Sequence, residues 1–260
     1  MHPLAQLIGS FNPAQEFTPP ASWYQGRTVY GGLLAALALQ TALLDSQQDS
    51  ASLQSAHVSF IAPATKKLLF EPELLRQGRS VSSLSVDCLS DGELAARVAL
   101  VFTRSRTSEI EHNFLPCPLI KGPMSYHTLN AVDKYAAPDY SHNFEMRPAG
   151  STLPFTGSIN PELLFWMRHQ DAREVDPTVA LIALADGLPP AVTTSLIETA
   201  KYRSIAWTLD LMQPPPVGHW FLMRSFSRQA HNGYSVQDME IWDESGRLAL
   251  CGRQTIAILA

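Results

Sequence analysis

Two stretches of this chain are almost wholly apolar, and each is followed by runs in which apolar and polar positions alternate. In the first half Gly31-Gly32 opens LLAALALQTALL (33–44), whose lack of a polar stripe predicts a helix buried on all sides. SAHVSFIAPA (55–64) then places Ala56, Val58, Phe60 and Ala62 on one strand face and ends at a proline, where a ladder loses a donor. LFEPELLRQGRS (69–80) and SSLSVDCLSDGELAARVALVF (82–102) predict further antiparallel strands, the second folding over at Ser90-Asp91-Gly92.

The same succession recurs. PTVALIALADGLPPA (177–191) repeats the apolar helix, SIAWTLDLMQP (204–214) the strand that ends in proline, and WFLMRSFSRQA with YSVQDMEIWDESGRLALCGRQTIAIL the meander. Arg228-Gln229 answers Arg76-Gln77, and Ser245-Gly246 answers Asp91-Gly92. The offset between the copies grows by two residues between these pairs, which places a small insertion around His231-Asn232-Gly233. Such self-similarity marks a repeated supersecondary unit. The expectation is an α+β fold of two tandem units, 1–105 and 156–260, each a buried helix against a curved antiparallel sheet. A linker or crossover over 106–155, rich in Pro, Gly, Tyr, His and Asn, wraps the surface between them. A sandwich or barrel of another kind is the competing architecture.

Composition narrows the function. A formal charge of −5 argues against a nucleic-acid partner, which calls for a basic face. Cys88, Cys117 and Cys251 are odd in number and lack CxxC spacing, so neither a disulfide framework nor a zinc site is expected, and a reducing, cytoplasmic setting fits. Met1–Phe11 lacks the features of a secretory leader. The longest apolar run is too short to span a bilayer, so no membrane partner is expected. GxSxG, HExxH, P-loop and GxGxxG patterns are all absent, and the eight histidines show no metal-ligand spacing, so neither a metal nor a cofactor is expected.

Asp186 is the anomaly. It closes the run ALIALAD, where an ionised carboxylate is costly unless it is hydrogen-bonded or has a task; the first helix has no acid before Asp45 at its end. The bland alternative is an exposed helix-terminal Asp at the Gly187 turn. Ser204 opens its strand, alternating with Ala206 and Thr208, and by itself reads as an ordinary strand serine. Gln254 lies on a terminal strand of small and apolar residues, where its amide could hold a water or could simply be a satisfied core amide. His57, between Ser55 and Ser59 on the polar face, is a pocket candidate outside the catalytic set.

HVSFIAPA, RQGRSVSS with DGELAA, ALADGLPPAV, SIAWTLDL and ESGRLALCGRQTIAI are similar, in that order, to the thioesterase II family of acyl-CoA hydrolases and its thioesterase-like relatives, over most of the chain. The resemblance implies a double hot-dog fold and an acyl-CoA substrate. It also implies a hydrolytic water oriented by Asp186, Ser204 and Gln254, with Ser204 where many members carry Thr. Gly31 and Gly32 are the expected oxyanion-side backbone and, with His57, the expected substrate contacts. Arg27, Lys66, Lys67, Arg76 and Arg79 are candidates for the CoA phosphates, and a homodimer or higher homo-oligomer is expected. The rival readings are a double hot-dog that binds acyl ligands without turnover, a hydratase or dehydratase, and an interaction module.

Overall fold

The computed structural model describes residues 2–45, 51–129, 137–212 and 214–259; residues 130–136 of the expected linker and Gln213 lie outside them. In chain order the elements are α1 (Leu4–Ser10), the short pair β1 (Tyr24–Gln25) and β2 (Thr28–Val29), α2 (Gly31–Asp45), β3 (Ser52–Phe60), β4 (Leu68–Gln77), β5 (Val81–Ser90) and β6 (Glu93–Thr103). After the linker come β7 (Phe144–Pro148), β8 (Glu162–His169), α3 (Pro177–Ala185), β9 (Lys201–Leu211), β10 (Phe221–His231), β11 (Tyr234–Trp242) and β12 (Leu248–Leu259). Ten strands form one antiparallel sheet in the order β4-β5-β6-β3-β9-β12-β11-β10-β8-β7. The units meet at β3 and β9, and α2 and α3 pack together against the sheet's inner face. This is the expected double hot-dog.

Both helices follow from composition. Ten residues of α2 from Gly32 to Ala42 are buried, and six of the nine residues of α3, so neither helix keeps a solvent stripe. Tyr30, just ahead of α2, donates its hydroxyl to the Ala183 carbonyl of α3 at 3.0 Å, tying the two units together.

The ladders set the phase of every strand. Val86, Val98, Val58, Trp207, Gln254, Gln237 and Ser227 stand side by side across seven strands on the inner face, all buried. The row is apolar through the first unit and turns polar at β12. One irregularity matters: Thr255 pairs with Ala206 but Ile256 pairs with Ser204, so Ile205 is bulged out of register. The extra residue shifts the alternation by one. Ser204 therefore shares the inner face with Ile256 and Gln254, not the face of Ala206 and Thr208 that simple alternation predicts.

Two further features depart from the sequence-based expectation. The extra residues of the second copy lie in the five-residue β11–β12 connection, Asp243–Arg247, against the two-residue turn Asp91-Gly92. Asn232-Gly233 is itself a two-residue turn, with positive φ at both positions. The strand β8 was not anticipated because ELLFWMRH shows no alternation, and both its faces are covered. On the outer face Trp166, Leu222, Trp242 and Leu248 form a row under the linker, where Trp242 Nε1 donates to Leu115 O and Trp166 Nε1 to Lys121 O, each at 3.0 Å. The same linker supplies β7, the edge strand beside β8.

Trp207 is fully buried at the seam between units. Trp207→Ala is expected to cost about 3–5 kcal/mol, read as a lower guanidinium unfolding midpoint.

Candidate active site

Asp186 is placed by the start and stop signals of α3. Asp176 caps its N-terminus, accepting from Thr178 N at 2.8 Å and Val179 N at 3.1 Å, with Pro177 in the first turn. The helix ends at Ala185, and the Gly187 N–H closes onto the Leu184 carbonyl at 2.8 Å. Asp186 is thus the C-cap, with its side chain directed at the N-terminus of α2.

There the carboxylate is held from two sides. Gln254 Nε2 donates to Asp186 Oδ1 at 2.6 Å, and the Gly32 backbone N–H donates to the same carboxylate. Gly31 is required by contact: a Cβ at that position would stand 2.8 Å from Asp186 Oδ2 and 3.1 Å from Phe60 Cζ. The positive end of the α2 dipole faces the carboxylate, whereas the end of α3 that carries it is negative. Burial pushes the Asp186 carboxyl up to about 7, with the Gln254 and Gly32 hydrogen bonds opposing the rise.

Gln254 is itself fixed. Its Oε1 accepts from Gln237 Nε2 at 2.7 Å, and Gln237 Oε1 accepts from the Ala191 N–H at 2.8 Å. Three phenols close the surroundings. Tyr30 stacks on Tyr140 with ring centroids 4.1 Å apart. Burial and then the Asp186 charge raise Tyr30 and Tyr202 above their ordinary range, while Tyr140 is raised by burial, then Tyr202, then Asp186. Tyr202 shares the inner face with Ser204 through its pairing with Ile258.

Of the sequence-derived candidates, Asp186, Gln254, Gly31 and Gly32 come together in direct contact. Ser204 is brought to the same face by the bulge, without a hydrogen bond to Asp186 or Gln254 among the described residues. His57 is not brought in. It pairs with Thr208, one position out of phase with Val58 and Trp207, so it lies on the exposed outer face, 3.0 Å from Thr208 Oγ1 through Nδ1. Arg27, Lys66, Lys67, Arg76 and Arg79 are exposed, and Lys67 is paired with Glu16 at 2.7 Å. Gln237 and the three tyrosines escaped the sequence reading. The available signal for Gln237 was a polar residue in the inward phase of its strand, opposite Gln254. Among the described residues no group of three or more His, Cys, Asp or Glu side chains could hold a metal ion, and no helix is long and apolar enough to cross a membrane.

Residues 19–104 match the acyl-CoA thioesterase N-terminal domain and residues 123–258 the acyl-CoA thioesterase C-terminal domain. The chain belongs to the acyl-CoA thioesterase family. By that membership it is a thioester hydrolase. Among solved structures it is similar to a hot-dog protein of Alicyclobacillus acidocaldarius (23% identity, 96% of this chain and 95% of that one, TM-score 0.85). It is also similar to a tesB protein of Mycobacterium avium subsp. paratuberculosis (14%, 98% and 100%, 0.77) and to an acyl-CoA thioesterase II of Mycobacterium marinum (19%, 89% and 89%, 0.70). At these identities the likeness shows the shared fold. A search of curated proteins finds no match.

The raised Asp186 value makes stability depend on pH. Between the ordinary carboxyl value of 3.8 and about 7, the folded enzyme holds a proton that the unfolded chain has released. This group's contribution is therefore full below pH 3.8 and is lost as pH rises through 7. Asp186→Asn keeps a neutral side chain throughout. Relative to the parent, the variant should gain on the order of 1–2 kcal/mol on going from about pH 4 to about pH 8, a figure reduced for the partial exposure of the carboxyl. Comparing denaturant midpoints at the two pH values cancels any fixed cost of the amide.

Proposed function

We propose that this enzyme hydrolyses an acyl-CoA thioester with a water held by Asp186, Ser204 and Gln254. The observation that carries the reading is Asp186 itself: a carboxyl near neutrality, clamped by Gln254 and the α2 N-terminus. A base is most effective when its pKa lies near the working pH.

In this scheme the ionised Asp186 takes a proton from the water as its oxygen bonds to the thioester carbonyl carbon. The C–S bond then breaks, the acid is released, and the proton passes to the departing sulfur to give CoA thiol. Gln254 has one amide hydrogen on Asp186 and a second available for the water or the developing oxyanion. Ser204 supplies a hydroxyl from the same face. The Gly32 N–H serves the carboxylate rather than the thioester oxygen. Gly31-Gly32 therefore contributes chiefly by letting the chain approach Asp186 and by aiming the positive end of α2 at the reacting centre.

The reading extends to assembly and setting. The ten-stranded sheet is open, with β4 and β7 as edges, and open edges are natural pairing surfaces; a homodimer or higher homo-oligomer follows. Three free cysteines suit a reducing cytoplasm.

Following free thiol from short, medium, long and aromatic acyl-CoAs tests the scheme. Thiol release should rise with pH through an ionisation near 7. Asp186→Asn should lower kcat by about 10²–10⁴, and Ser204→Ala should lower it less. Undiminished release by Asp186→Asn would remove the proposed base.

A further inference from the structure

Beside the Asp186–Gln254 pair lies a buried amide that the scheme above does not use. Gln237 is 2% exposed and Gln254 3%, and the two stand opposite each other on β11 and β12. A primary amide can face a neighbour in either of two ways, with its oxygen or with its NH2, and the neighbours decide which. Here the decision begins at Ala191. It is the first residue of a short 3-10 turn that follows Pro190, so its N–H has no partner within the turn. Gln237 Oε1 accepts that hydrogen at 2.8 Å. Its NH2 must then point the other way, and it donates to Gln254 Oε1 at 2.7 Å. Gln254, with its oxygen engaged, can present only its NH2 to Asp186 Oδ1, as it does at 2.6 Å.

The consequence is chemical. An NH2 facing Asp186 favours the carboxylate, which accepts, and disfavours the acid, whose proton would need an acceptor. A freed Gln254 could turn its oxygen toward Asp186 and take that proton. We propose that Gln237 is a positioning residue: relayed from the Ala191 N–H, it sets the orientation of the Gln254 amide and thereby keeps Asp186 available as a base. This rests on the hydrolytic reading for its function, though not for its geometry. Among the described residues the groups acting on Asp186 are uncharged, and the titratable side chains facing it are the phenols of Tyr30, Tyr140 and Tyr202, all held above their ordinary range. They stay protonated where Asp186 titrates, so a change in its titration reports on the relay.

The test uses Gln237→Met, which keeps the length of the side chain and removes both polar ends, beside Met239→Leu, a volume-matched change two residues along the same strand. Asp186 is titrated by carbon-13 carboxyl NMR, and the pH profile of thiol release is recorded. Gln237→Met should raise the Asp186 midpoint by about one unit. In turnover this corresponds to a kcat about fivefold lower at pH 7 that converges with the parent by about pH 9, with KM unchanged. Met239→Leu should lower Tm without moving the midpoint. If Gln237→Met does not fold, Gln237→Leu serves instead. It is uncharged and likewise leaves the Gln254 amide without its partner, so it should raise the midpoint by a similar amount. An unmoved midpoint in the folded variant, or a kcat loss equal at all pH values, overturns the proposal. If the parent releases no thiol from any acyl-CoA, the hydrolytic reading fails, and the carboxyl titration alone then decides the relay.

Discussion

The hydrogen bond between Asp186 and Gln254 is the contact on which the rest of this structure turns. It joins the end of α3 to β12, the last strand in the chain, and the partner that shares it, the Gly32 amide, belongs to the other unit. A carboxylate at this depth is tolerable only if its donors are fixed in place. Each donor is fixed by a different part of the fold: Gly32 by the N-terminus of a largely buried helix, Gln254 by a central strand and by Gln237 behind it. The site is thus a property of the duplicated molecule rather than of either half. The Tyr30 hydroxyl reaching the Ala183 carbonyl is the second tie across the same boundary, one turn of α3 before Asp186.

Duplication explains the architecture, and divergence between the copies explains the site. The cross-sheet row on the inner face makes the point within one line of side chains. Val86, Val98 and Val58 fill the first unit with ordinary aliphatic packing, Trp207 closes the seam, and Gln254, Gln237 and Ser227 then replace the aliphatics. Polar side chains in a core lower stability unless every donor and acceptor is met. Here the amides answer one another and Ser227 meets Ser235 at 2.9 Å. The row is polar only on the side of the sheet nearest the end of α3.

What was legible from the residues follows from which physical signals are local. The two apolar helices announce themselves because a helix covered on all sides has no polar stripe. Asp186 announces itself because a lone acid closes one of them. The strand phases around Ser204 were not legible, since one bulged residue, Ile205, reverses the facing of everything before it, and a bulge depends on the neighbouring strand. His57, adjacent to Val58 in sequence, lies on the opposite face by the simple alternation that already put it with Ser55 and Ser59. Strand β8 escaped because an element buried on both faces loses the alternation that identifies strands. Its outer cover comes from a linker whose own sequence carries no period. Gln237 escaped because its proposed importance lies in what it does to Gln254, and the pairing of the two shows only in the ladder between β11 and β12.

The proposed chemistry asks two opposed things of Asp186. Burial makes it a stronger base once ionised but makes ionisation costly, and the balance sets it near neutrality instead of leaving it inert as an acid. The opposing contributions are all dipoles: one side-chain amide, one backbone amide and the positive end of a helix. A lysine or arginine in their place would hold the carboxyl far below 7 and leave it too weak a base to take a proton from water. Oriented amides stabilise the charge enough for ionisation at neutral pH while leaving the proton affinity that the proposed base needs. On the proposed reading, the polarity of each amide, and not merely its presence, decides whether this carboxyl can work.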